Sequence, residues 1–502
     1  MKIEQSTHFD PSKQIELTQW FSKFRENIVG NKLELRRGEH AIPVLYADWT
    51  ASGRLYQPIE DYITQILGPY VANTHTSSTL TGNAMTEAYA EARKIIKDHV
   101  NADANDAIIL AGSGMTGVVN KLQRMMGLRV PEHLQTHCPK DENLKPLVIV
   151  THMEHHSNQT TWEECEITLQ IIQRGANGLP DLDHLKRILK QFEQRPIKIG
   201  AFTGCSNVTG IITPYHEMAE IMHQHGGLCF VDFAASAPYL AINMHPENPL
   251  QKLDAIFFSP HKFLGGPGSS GVMVFNKDLY RLNVPDQPGG GTVAWTNPWG
   301  GHRYFSDIEV REDGGTPGFL QAIRAALAVK LKEAMDVEKI AQREQYMNQI
   351  FRERLCQNPS IELLESHCHR RTSIFSFYTL DTHYNLIVKI LNDRFGIQVR
   401  GGCSCAGTYG HLLLHVKKKF SNKITAQIDA GDLSNKPGWV RASLHPTMTD
   451  EEVLFIADSI LAVLENIDQW SSDYQFCTAS GEFFHRSNNL AQMPTLESFR
   501  AY

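Results

Sequence analysis

AIFFSPHKFLGGPGSSGVMVF, residues 255 to 275, sets one lysine, Lys262, between AIFF (255 to 258) and GVMVF (271 to 275), two runs that are apolar at almost every position. Short runs of this kind suit strands covered on both faces. AIIL (107 to 110), PLVIV (146 to 150), IGAF (199 to 202) and LCFV (228 to 231) repeat the pattern upstream, separated by longer amphipathic or polar stretches. The alternation predicts an α/β domain with a mostly parallel sheet, whose ligand site lies at the carboxyl ends of its strands. The residues just after each run therefore carry the functional reading.

AIIL is followed by GSGMTG (112 to 117) and a helical pattern, VVNKLQRMMG. A G-x-G-x-x-G between strand and helix raises a dinucleotide fold, but the next strand leads into THMEHH rather than to the acid that fold needs. What remains is a phosphate cup, since glycines let backbone amides approach an anion at a helix N-terminus. THMEHHSN (151 to 158) gathers His152, His155 and His156 around Glu154 without metal-ligand spacing, and no metal is expected there. VDFAAS places Asp232 at a strand's carboxyl end, where a carboxylate is costly unless a cation such as a protonated ring nitrogen faces it. Lys262, desolvated in a cleft and close to another cation, would have a depressed pKa and act as a Schiff-base nucleophile.

The bulk sequence narrows the partners. Over 502 residues, with 42% hydrophobic and 21% charged, the chain is long enough for two or more cores. A formal charge of −7 supplies no basic field for nucleic acid or for anionic membranes. MKIEQSTHFDPSKQIELTQW lacks a signal peptide's apolar centre, and no run approaches the ~18 apolar residues of a membrane span. Nine scattered cysteines fit reduced thiols, so a cytoplasmic protein is expected.

The expected organisation is an N-terminal helical segment (1–30), a large cofactor-binding domain (31–335), a small α/β C-terminal domain (336–470) and a C-terminal arm (471–502) packed on a neighbour. The glycine-rich stretch 288 to 302 and a helix, QAIRAALAVKLKEAM, with Ile323, Leu327 and Leu331 on one face, lead from the first domain to the second.

A phosphate cup, a buried acid and an isolated lysine together describe a pyridoxal phosphate site. From about residue 45 to 465 the chain resembles, motif by motif and in order, class V aminotransferase-fold enzymes of the cysteine desulfurase/selenocysteine lyase type. The resemblance implies the fold type I of pyridoxal phosphate-dependent transferases. YADWTASG (46 to 53) is similar to the family's Y-L-D-x-A-A opening beside the cofactor. Gly114, Met115 and Thr116 match its G-T-T phosphate segment, Met115 replacing a hydroxyl residue. His155 in MEHHSN takes the place of the ring-stacking, proton-shuttling histidine, and Asn207 in CSNVTG that of the asparagine on the phenolic oxygen. Asp232 and Lys262 match the ring-nitrogen partner and the cofactor-linking lysine, with Ser259 and His261 as phosphate or lysine neighbours. Ala235 stands where desulfurases have glutamine. Thr316 in EDGGTPGFL (312 to 320) matches a threonine that reaches the neighbouring subunit's phosphate, which implies a homodimer. Arg441 in VRASLHPTMTDEE matches the substrate-carboxylate arginine.

In VRGGCSCAGTYGH (399 to 411) the resemblance makes Arg400 the motif arginine and Cys405 the nucleophile, with Cys403 an extra thiol. It implies removal of sulfur from L-cysteine through a Cys405 persulfide, giving alanine, with a sulfur-acceptor protein as partner. A rival reading joins Cys403, Cys405, His411 and His415 as zinc ligands, although C-x-C is tight for one tetrahedral ion. Transamination, racemisation or epimerisation on the same scaffold stays open because of Ala235 and an inserted loop, residues 417 to 439. A non-catalytic amino-acid-binding relative is the third reading.

Overall fold

The computed structural model describes residues 10–37, 40–138, 141–487 and 495–500. Residues 1–9 of the expected N-terminal segment, and 488–494 and 501–502 of the expected arm, lie outside the described residues. Every apolar run named above is a strand of one sheet: β1 (Asp106–Ala111), β2 (Leu147–Thr151), β4 (Lys198–Thr203), β5 (Leu228–Asp232), β6 (Ala255–Phe258) and β7 (Gly271–Asn276). A seventh, β3 (Thr168–Ile172), joins them at one edge. Its sequence, TLQII, hides among the polar stretches because an edge strand needs no apolar residue at every position, and only Ile172 is buried.

The strand order is β1-β7-β6-β5-β4-β2-β3, parallel from β6 to β3, with β7 antiparallel to both neighbours. Alternate side chains of the strands feed two cores. Ile108, Leu110, Phe202, Val231 and Phe258 face one side with Ile323 and Val329, while Ile109, Val150, Phe230 and Phe257 face the other with Val118 and Leu122. The helix expected after the glycine-rich stretch runs Phe319–Met335, and both Ile323 and Leu331 are buried. The stretch itself forms a short hairpin, Val293–Thr296 with His302–Tyr304, with Trp295 and Trp299 exposed.

A smaller antiparallel sheet follows, ordered β8 (Glu362–Leu363), β9 (Ile374–Tyr378), β11 (Trp439–Ser443) and β10 (Arg400–Gly402). Phe375, Phe377, Val440 and Ala442 pack there against Ile387, Ile390, Val453 and Ile456 from helices Tyr384–Phe395 and Asp450–Glu465. The two sheets are stitched by the segment before the large sheet: Leu45–Tyr46 pairs in parallel with Ile397–Gln398, and Asp48 bridges to Ser443. Residues 417 to 439, expected as an inserted loop, are half helical. Lys418–Asp429 coils with Ile424 as its buried contact, and His411 Nε2 lies 2.8 Å from Ser421 Oγ. At the C-terminus a hairpin, Tyr474–Cys477 with Glu482–His485, packs Tyr474 and Phe483 on this chain's own small-domain core. Among the described residues no helix is long and apolar enough to cross a membrane.

Candidate active site

The carboxyl ends of β1, β2, β4, β5 and β6 open into a cavity of about 510 Å³ lined by Gly114, Thr116, His155, Asn207, Asp232 and Lys262 among others. That is large enough for a small cofactor with substrate. β1 ends at Ala111, and the glycine turn delivers helix Met115–Met125 with its N-terminus at the cavity. Gly114 is required by close approach: a Cβ there would stand 2.9 Å from His261 Cε1 and 3.1 Å from Ser259 Oγ. Ser259 Oγ accepts from Met115 N at 2.9 Å, and the His261 Nδ1–H donates to Ser113 O at 2.8 Å. Thr116 Oγ1 and Ser157 Oγ lie 2.6 Å apart on the same wall. Backbone amides, hydroxyls and a helix N-terminus are thus collected where an anion is favoured.

Lys262 ends a single 3-10 turn, Pro260–Lys262, after β6. The chain then doubles back so tightly that a Cβ on Gly266 would sit 1.8 Å from Pro260 O, so glycine is obligatory. Burial pushes the Lys262 amine down to about 8, with Arg441 and Arg400 adding to the fall and Asp232 opposing it. Asp232 closes β5, buried, with Oδ1 accepting from Ala234 N at 2.8 Å. Burial raises its pKa to about 6, against the pull of the Ala234 amide and Lys262. A carboxylate so placed, with one oxygen met by protein, suits a protonated ring nitrogen.

His155 caps helix His156–Glu163, its Nδ1 accepting from Ser157 N at 3.1 Å, which leaves the ring proton on Nε2. Burial, then the charges of Lys262 and His156, hold its pKa near 3, so the ring is neutral. Asn207 donates Nδ2 to Ser404 O at 2.7 Å, while its buried Oδ1 has no partner among the described residues. That bond draws the cysteine turn to the cavity rim. Ser404 and Cys405 are both left-handed, at φ 51° and 54°. His156 pins the turn twice, donating its backbone N–H to Cys405 O at 2.8 Å and accepting at ring Nε2 from Gly407 N at 2.9 Å.

Arg441 is buried on β11, donating Nη2 to Asp48 Oδ1 at 2.9 Å and Nη1 to Asn207 O at 3.1 Å. Its Nε is buried with no partner among the described residues. Arg400 Nε donates to the other Asp48 oxygen at 2.9 Å. The residues together fit a flat, phosphate-bearing cofactor flanked by a carboxylate-binding arginine and an exposed thiol.

The family model described as "Aminotransferase class-V" matches residues 45–455. The chain belongs to the class V aminotransferase family. It is 28% identical over 367 residues to a probable cysteine desulfurase of Staphylococcus aureus, covering 72% of this chain and 83% of the relative. A probable cysteine desulfurase of Staphylococcus epidermidis is 28% identical over 369 residues, with the same coverage. Among solved structures, the apo cysteine desulfurase of Thermococcus onnurineus superposes with a TM-score of 0.70 at 21% identity, covering 92% of this chain and all of that one. A cysteine desulfurase of Escherichia coli superposes at 0.66 and 20% identity, covering 91% and 99%. The mostly parallel α/β fold of class V aminotransferases is thereby shown.

Within this class V aminotransferase, Gly114, Met115, Thr116, His155, Asn207, Asp232, Ser259, His261 and Lys262 line one cavity, with Ala235 in its wall. Thr316 stands apart on an exposed loop. The Met115 amide, expected for phosphate, donates to Ser259 Oγ. The zinc grouping does not assemble. His411 engages both ring nitrogens, with Gly407 O and Ser421 Oγ, and Cys403 packs beside Tyr409, Leu413 and Trp439. The three histidines also disperse: His152 is buried edge-on to Tyr409, and Glu154 is spent on the Thr151 and Thr203 amides and Asn158. Asp48 is what the sequence reading passed over. It was visible inside YADWTASG, yet its partners lie some 350 to 400 residues away.

Proposed function

We propose that the chain is a pyridoxal phosphate-dependent cysteine desulfurase, removing sulfur from L-cysteine by way of a Cys405 persulfide and leaving alanine. The observation that carries this reading is the docking of the Cys405 turn, through Asn207, on the cavity that also holds Lys262 and Asp232. When bound, the cofactor supplies an electron sink for negative charge at the substrate α-carbon. Lys262, with its depressed pKa, is the amine that would hold the cofactor covalently and, when free, would move the substrate's α-proton. Asp232 holds the ring-nitrogen proton, and neutral His155 covers the ring. Gly114, Thr116, Ser259 and His261 would hold the phosphate, joined by the Met115 amide once Ser259 Oγ releases it, with Thr316 of one subunit serving its partner's site in a homodimer. Arg441 receives the substrate carboxylate.

Cys405 then attacks the substrate sulfur as thiolate. The new S–S bond forms as the Cβ–S bond breaks, and its electron pair stays on the substrate's carbon skeleton. The persulfide passes to a thiol acceptor, a sulfur-accepting protein in the cell. All nine cysteines are free, which supports a reducing, cytoplasmic setting. Ala235, a methyl in the cavity wall where desulfurases carry glutamine, favours transamination or racemisation as the second reading.

Incubation with L-cysteine and a thiol reductant, with alanine and sulfide measured, tests the proposal. Cys405→Ser should cut both products by at least about 100-fold, while Cys403→Ser changes them by less than about threefold. Sulfur release indifferent to Cys405 defeats the persulfide route, and keto-acid formation with an amino acceptor would install the second reading.

A further inference from the structure

Arg400 and Arg441 are direct cross-strand partners, one on β10 and the other on β11. Like charges placed opposite one another in an antiparallel pair repel. A single carboxylate relieves them. Asp48, on the segment that pairs with Ile397–Gln398 and bridges to Ser443, gives one oxygen to each guanidinium, both at 2.9 Å. Asp48 is buried and Arg441 is almost fully so, whereas Arg400 is half exposed. Two cations and one anion leave a net positive charge, which matches one α-carboxylate.

The placement of the remaining donors is more telling. Asp48 and the Asn207 carbonyl hold the two Nη atoms of Arg441, and the Nε, equally buried, is left with no acceptor. A buried charged donor without a partner is expensive, and is retained where a ligand completes it. An arginine can seat a carboxylate side-on through Nε and one Nη, because each Nη carries a second hydrogen.

We infer that Asp48 is a positioning residue for amino-acid recognition, fixing Arg441 so that its unpartnered Nε edge is kept for the substrate's α-carboxylate. It also ties this arginine to Arg400, on the strand that leads into Cys405, so the carboxylate seat and the thiol strand are registered by one side chain. The inference rests on the proposed cofactor chemistry and deepens it, since the reaction alone names Arg441 and assigns nothing to Asp48.

The test uses the cofactor-loaded protein and reads visible absorbance as an amine is titrated in. L-Alanine has the substrate's carboxylate without its sulfur, and ethylamine lacks the carboxylate. Asp48→Asn should weaken L-alanine by at least about tenfold and ethylamine by less than about twofold. Asp48→Glu keeps the charge, moves the oxygens by one methylene and guards against misfolding of the first variant. It should weaken L-alanine by about three- to tenfold, again sparing ethylamine. With L-cysteine, the loss should fall on KM rather than kcat. L-Alanine bound by the variants as tightly as by the parent, or both amines weakened alike, overturns the role of Asp48. A parent protein whose absorbance answers to neither amine overturns the cofactor reading itself, and this proposal with it.

Discussion

Lys262 and Asp232 were readable in the sequence for one physical reason. Each is the one acid or lysine that follows an apolar run, where solvent is excluded and a charge needs a purpose. Asp48 sits in a polar stretch, and its meaning appears only when Arg400 and Arg441 are folded onto it, one of them 393 positions away. The same burial that exposed Lys262 to inspection also sets its reactivity. An amine must shed its proton to attack an aldehyde, and an ordinary lysine is almost wholly protonated at neutral pH. With the folded pKa lowered to about 8, the reactive fraction rises with pH up to that value and then saturates. Loading of apoprotein with pyridoxal phosphate, followed by the growth of visible absorbance, should accelerate about tenfold per pH unit below this midpoint and level off above it. A rate still climbing steeply two units higher would mean that Lys262 titrates as a solvated lysine.

The element that most separates sequence from structure is the cysteine turn. Its glycines and paired cysteines allowed a zinc set or a single nucleophile beside an extra thiol, and the spacing alone could not choose between them. Folding makes the two thiols unequal: Cys405 is exposed at a left-handed position, whereas Cys403 turns toward an apolar cluster. The turn is held in part by His156, the neighbour of the histidine that the motif emphasised. Its ring accepts from Gly407 N only while neutral, and burial lowers its pKa below the ordinary value. The bond is therefore present at neutral pH and lost as the pH falls through that depressed pKa. Replacing His156 with Ala removes the acceptor and leaves the backbone bond to Cys405 O in place. The Gly407 amide should then exchange with solvent about five- to tenfold faster, the equivalent of about 1 kcal/mol. His156→Gln, whose carbonyl can accept, should recover part of the protection. Unchanged exchange in the Ala variant would show that the turn is held by its own left-handed residues.

At the scale of the whole molecule, the mostly parallel sheet and a site at its carboxyl edge follow from apolar runs, but the strand order and the joint between the two sheets do not. Its contacts are made by segments far apart in sequence, none of them patterned strongly enough to announce a partner. Helix Pro11–Arg25 is the clearest case: Leu17, Trp20, Phe21 and Phe24 mark one apolar face at i, i+3, i+4 and i+7, but nothing in that spacing names the partners it meets, Trp49, Tyr239, Leu264 and Met335. Arg25 then forks onto Glu452 of helix Asp450–Glu465 at 2.6 and 2.7 Å. The helix thus reaches from residues beside the large sheet to a helix packed on the small one, and it touches Trp49, the neighbour of Asp48. Phe21 is 1% exposed, and truncating a buried aromatic costs the transfer of its ring plus the cavity left behind. Phe21→Ala should lower unfolding free energy by about 3 kcal/mol or more in a urea titration, whereas Ile15→Ala, at a position 60% exposed on the same helix, should stay within about 0.5 kcal/mol. Because the cluster holds Trp49 in place, the Phe21 variant should also bind L-alanine more weakly while still folded. A variant that loses stability with carboxylate affinity intact would show that the helix supports the fold alone, and that Asp48 is held by its arginines without help from the N-terminus.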